Sequence, residues 1–176
     1  RALSLVAFDL AEQIHTPLLV DDRILQALRH IERPDDFSAF GTDALILAMR
    51  DGGIISHGAA ADHFLQLMKW RYRFIVPDVK ILKAVAERYR THAPGHALKA
   101  VARYVHDCMR DAGLFAGMEN SDPPVSIAVR LFQTWAQLVA ELVIDIWEDK
   151  AFADENAEAF AAWAIREFLP SPPAVL

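Results

Sequence analysis

Thr16-Pro17-Leu18-Leu19-Val20-Asp21-Asp22-Arg23 decides how the rest of this chain is read. A short apolar run with proline near its start reads as a buried strand of a parallel sheet. Such strands are covered on both faces, so they show no polar alternation, and they tolerate proline only at an edge or a first residue. Asp21 and Asp22 end the strand. Upstream, Leu3, Val6, Ala7, Leu10 and Ile14 recur at helical spacing. Downstream, Ile24, Leu25 and Leu28 share one helix face and Arg23, Arg29 and Glu32 the other, until Pro34 stops the helix by disfavouring helical geometry in the residue before it. The order helix, strand, helix is that of an α/β fold.

Working outward, Phe37-Ser38-Ala39-Phe40 leads to Gly41-Thr42, a turn and cap that opens a helix through Arg50, closed by Gly52-Gly53. Ser56 begins a further helix, from about 59 to 69. Residues 71–76 have β-type composition and are stopped by Pro77, which predicts either a short edge strand or an extended connector. Helices are then expected at about 78–91, 96–113, 124–149 and 155–168. In the third of these Ala128, Leu131, Phe132, Trp135, Leu138, Val139, Leu142 and Ile146 keep helical spacing. The expected architecture is a mixed α/β front over 1–77 followed by an all-helical extension over 78–176, with helix far exceeding strand.

The chain has 176 residues, 53% of them hydrophobic, and a mean hydropathy of +0.15, enough to bury a sizeable core. No run approaches a membrane span, and the first ten residues, interrupted by Asp9, are too short for a signal segment, so a soluble cytoplasmic protein without a membrane partner is expected. Arg1 stands where an initiator Met is expected, which suggests a piece of a longer parent with upstream domains. The single Cys108 excludes an intrachain disulfide and a multi-cysteine zinc site. The net charge of −6 is unevenly spread. Residues 1–65 carry 5 basic and 10 acidic groups, residues 66–110 carry 10 and 3, and residues 111–176 carry 3 and 11.

Two carboxylates at the carboxyl end of a parallel strand lie where α/β folds place ligands, and Mg²⁺ or Mn²⁺ takes such oxygen donors together with water and phosphate. The competing reading is structural, since an Asp between strand and helix is a good cap. Gly41-Thr42-Asp43 has the same two readings: a phosphate-facing helix N-terminus or a plain helix start. Lys69, Arg71 and Arg73, interleaved with Trp70, Tyr72 and Phe74, suit single-stranded RNA through phosphate contacts and base stacking. The same segment reads equally as a solvated face, or as a basic surface docked on the acidic tail of its own chain. The seven histidines miss ligand spacing, and Cys108 has no activating base near it in sequence. Phe132, Trp135, Trp147, Phe160, Trp163 and Phe168 are expected to anchor a helical core, with a protein-docking surface as the alternative for the helical tail.

The run of helix, Pro17 to Arg23, helix, Gly41-Thr42 opening a helix, Gly52-Gly53-Ile54, helix, and Tyr72-Arg73-Phe74 resembles the carboxyl half of a PIN domain, particularly variants in large bacterial conflict-system proteins. The resemblance covers about residues 1–77. It implies a partial three-layer Rossmann-like fragment, a metal-ligand role for Asp22 with Asp21 as close alternative, a supporting role for Thr42, and cleavage of RNA by metal-activated water. The family's first acidic strand and its glutamate-bearing helix would lie upstream of Arg1, and its third acid would fall near Ser4, with Asp9 a turn and a half away. The leading expectation is therefore part of a PIN-like, Mg²⁺- or Mn²⁺-dependent endoribonuclease module whose isolated chain is inactive. The alternatives are a non-catalytic RNA- or protein-binding module on the same scaffold, and a helical scaffold with no site.

Overall fold

The computed structural model describes residues 10–11, 13–21, 39–87, 95–111, 127–152 and 154–168. It is predominantly helical with one short parallel sheet. The elements are β1 (Leu18–Leu19), β2 (Ala39–Phe40), α1 (Thr42–Asp51), α2 (His57–Lys69), α3 (Val79–Glu87), α4 (His96–Asp111), α5 (Ile127–Glu148) and α6 (Asp154–Glu167). The chain divides into two compact units, residues 1–55 and residues 56–176. Helix α2 and the connector after it, which the sequence attaches to the front, thus pack with the helical remainder.

In the first unit a helical turn ends at His15, whose φ of 51° lies in the left-handed region. Thr16 N–H donates to Ala11 O at 3.0 Å across that turn, which releases the chain into β1. β1 pairs with β2 in parallel, Leu18 opposite Ala39 and Leu19 opposite Phe40, and Val20 N–H extends the ladder to Phe40 O at 2.8 Å. The strand is less enclosed than its composition predicts. Leu19 is 47% exposed, because a two-residue ladder leaves little of each side chain covered by a neighbouring strand. α1 carries Asp43 in its first turn and Arg50 in its last, each matched to the helix dipole. It closes with Gly53 N–H on Arg50 O and Ile54 N–H on Met49 O. Gly53 has φ of +71° there, a conformation that costs a residue with a Cβ about 1–2 kcal/mol.

The second unit has a continuous core. Ser56 Oγ caps α2 by accepting from Ala59 N–H at 3.1 Å, and α2 buries Ala60, Ala61, Phe64, Leu67 and Met68. α2 packs on α3 and α4, α3 and α4 on α5, and α5 on α6. Leu98, Val101, Val105, Cys108 and Met109 of α4 face inward, as do Leu131, Trp135, Leu138, Leu142 and Ile146 of α5. Trp163 meets Phe168 edge-on at 5.3 Å between ring centroids, and Phe168 stacks near Trp135 at 6.4 Å. Of the aromatic anchors expected from sequence, Trp135, Phe160, Trp163 and Phe168 are buried and Phe132 is half-buried, while Trp147 is 58% exposed, a position on α5 away from the buried stripe.

Residues 71–76 form no strand. Arg71 and Phe74 adopt φ of 62° and 60°, which breaks the extended geometry a ladder needs. Ile75 is buried with its N–H donated to the Tyr104 hydroxyl at 3.0 Å, and the same hydroxyl donates to Ile75 O at 3.4 Å. One side-chain oxygen thus supplies what a neighbouring strand would. Arg71 also closes α2 with the bond pattern of α1, its N–H on Met68 O and Tyr72 N–H on Leu67 O, at the position where glycine normally stands.

Candidate functional site

The parallel register sets the carboxyl ends of β1 and β2 side by side, so the residues that follow each strand meet. Gly41 caps α1 in an extended conformation but offers no side chain. Asp21 supplies the cap from the other strand: Thr42 N–H donates to its Oδ1 at 2.7 Å and the Thr42 hydroxyl to its Oδ2 at 3.0 Å. A carboxylate at a helix N-terminus satisfies an orphan donor and favours the helix dipole, an arrangement that stabilises by about 1 kcal/mol at an exposed site. The first free donor of α1 is thus taken by the chain's own anion. This opposes the expectation of an open phosphate-binding helix end.

The two motifs singled out in the sequence, Asp21 and Gly41-Thr42, are brought together here across 21 residues. Asp22, Ser4 and Asp9 lie outside the described residues. Asp21 and Asp43 are hard oxygen donors of the kind Mg²⁺ or Mn²⁺ requires. Among the described residues, however, no group of three His, Cys, Asp or Glu side chains stands ready to hold a metal ion. The described residues do not by themselves fit a divalent-metal site, and both Asp21 oxygens are engaged by Thr42.

The basic middle of the chain divides into two sets. Arg73 Nε lies 2.8 Å from Asp111 Oδ2, and Lys83 Nζ lies 3.3 Å from Asp149 and 4.0 Å from Asp145. These residues dock on acids of the carboxyl-terminal half, as one of the sequence readings anticipates. Such half-exposed pairs are worth about 0–1 kcal/mol each. Lys69, Arg71, Lys99 and Arg103 are exposed and make no ion pair with a described residue. They border two open grooves on either side of α4, of about 460 Å³ and about 710 Å³, which share Arg103 and Asp107. Arg166 and Trp163 of α6 complete the larger one. The sequence already groups Lys99 and Arg103 with Lys69, Arg71 and Arg73 in the basic segment 66–110, but gives no sign of Arg166. The signal within α4 was legible, since positions 96, 99, 103 and 110 fall on one helix face.

Tyr104 lines the smaller groove. Burial pushes its phenol above the ordinary value, the neighbouring Cys108 adds to the push, and the Ile75 backbone and Arg73 pull the other way. Tyr104 therefore stands as a neutral hydroxyl. Cys108 is free and fully buried, which removes it from consideration as an accessible thiol nucleophile. His106 holds the Glu167 backbone carbonyl at 2.9 Å, tying α4 to the end of α6. Among the described residues, no helix is long and apolar enough to cross a membrane.

Comparison with family models, with curated proteins and with solved structures finds no match.

Proposed function

We propose that the amino-terminal part of the chain belongs to a PIN-like endoribonuclease module of a longer parent, in which Asp21 and Thr42 form a supporting corner of an acidic site. The observation that carries this reading is the Asp21–Thr42 contact at the carboxyl ends of two parallel strands, the place where α/β folds gather ligands. In this reading Asp21 orients the corner and Asp22 would be the acid that binds the metal. The remaining carboxylates come from the parent's upstream segment, so the chain alone is inactive. A divalent metal ion held by Asp22 together with the parent's other acids would supply an activated water for RNA hydrolysis in the complete module.

A second reading is favoured by the engagement of both Asp21 oxygens. Here the corner is purely structural and the chain is a non-catalytic binding module on the same scaffold. The longer product, read from the coding sequence upstream of Arg1, separates the two when assayed on single-stranded RNA with Mn²⁺. Cleavage abolished by Asp22→Asn supports the nuclease. Absence of cleavage, or cleavage indifferent to Asp22→Asn, sinks it and leaves the binding module.

A further inference from the structure

We propose that the exposed face of α4 is a track for single-stranded nucleic acid, with Lys99 and Arg103 at its centre, Lys69 and Arg71 at one side and Arg166 at the other. The track lies wholly within residues 56–176 and does not rest on the nuclease reading. Its cations come from three places in the sequence and converge only through the packing of α2, α4 and α6. Lys99 and Arg103 share one face roughly 6 Å apart along the helix, a spacing close to that of successive phosphates.

The acids of this surface do not cancel it. Asp107 is held by Arg110, Asp111 by Arg73 and Glu167 by Arg166. Lys69, Arg71, Lys99 and Arg103 remain exposed and unpaired with any described residue, on a chain whose net charge is −6. A local basic trough on an acidic chain attracts a polyanion to that place rather than to the whole surface. An acidic peptide would satisfy the cations equally well. The indole of Trp70, 65% exposed and flanked in sequence by Lys69 and Arg71, favours a base-bearing polyanion, because an indole stacks on every nucleobase. Arg71 supplies a second sign: it occupies a left-handed backbone position that glycine would fill without strain, yet it places a cation at the groove.

The test uses the full chain with fluorescein-labelled twelve-nucleotide oligo-uridylate and oligo-thymidylate, read by anisotropy at several salt concentrations in the presence of EDTA. EDTA keeps binding separate from any metal-dependent cleavage. Binding that weakens as salt rises is expected for either strand. The Lys99→Gln/Arg103→Gln variant should lose about tenfold or more in affinity, with the salt slope reduced by about 0.7 per phosphate contact removed. Lys80→Gln, an exposed cation outside both grooves, should bind as the unmodified chain does. Arg71→Gly should raise the thermal midpoint while weakening binding, a combination that a merely structural Arg71 would not give. The proposal is overturned if the unmodified chain fails to bind either strand, if Lys80→Gln costs as much as the double variant, or if oligo-glutamate or duplex DNA binds more tightly than the single strands. None of these outcomes bears on Asp22 and RNA cleavage.

Discussion

The two units of this chain hold their structure by different means. Among the described residues, the first relies on a two-residue parallel ladder and a charged side chain that caps a helix from the neighbouring strand. The second relies on apolar volume: Phe64, Trp135, Leu142, Ile146 and Phe168 are almost wholly removed from water. A polar corner is directional and locally cheap to lose, whereas a packed core is non-directional and fails as a whole. The difference separates the roles open to each unit. The polar corner of the first fixes the start of α1 with two directional bonds, while in the second Lys69, Arg71, Lys99 and Arg103 are exposed and make no ion pair with a described residue.

The sharpest way to break the comparison is to remove core volume. Leu142→Ala should destabilise the helical unit by about 2–5 kcal/mol, seen as a lower denaturant midpoint in the helical circular dichroism signal. A loss under about 1 kcal/mol would show that this core is loosely packed. Tyr104→Phe comes next, with an expected loss of about 1–3 kcal/mol, because it leaves the buried Ile75 N–H without its acceptor. The same variant tests a pH dependence. The folded phenol titrates above its ordinary value of 10.0, so its share of stability is complete below that value and declines as pH rises above it. Phenylalanine should remove that alkaline decline, and an unchanged profile above that ordinary value would contradict the buried, neutral hydroxyl.

The smallest effect belongs to the corner. Asp21→Ala should cost about 1 kcal/mol and Thr42→Ala less, since alanine at 42 keeps the backbone N–H bond to Asp21 Oδ1; the double variant should cost less than their sum, because the hydroxyl bond is lost in both. Strict additivity, measured by equilibrium unfolding, would mean that the two side chains do not depend on one another.

Much of this was legible in the sequence, for identifiable reasons. Apolar residues at helical spacing placed the helices described from Thr42 onward, and the proline-led apolar run placed a parallel strand, while the helices expected before Thr16 and over about 24–33 lie largely outside the described residues. The meeting of Asp21 with Thr42 was not legible, because strand register is a tertiary fact and a separation of 21 residues does not encode it. Residues 71–76 had the composition of a strand but lost that option to the Tyr104 hydroxyl, 29 residues away from Ile75. The grooves beside α4 were half legible: the stripe of Lys99, Arg103 and Arg110 lies in one helix, while Arg166 joins it only through the docking of α6.

On the proposed nucleic-acid track, the backbone at Arg71 would set the interests of stability and recognition against each other. Glycine fits its left-handed conformation without strain, so a laboratory selection for heat resistance alone would drift toward glycine at this position. Variants recovered from such a selection would be hardier and less cationic at the groove. A population kept under selection for binding would hold the arginine and accept a lower melting temperature.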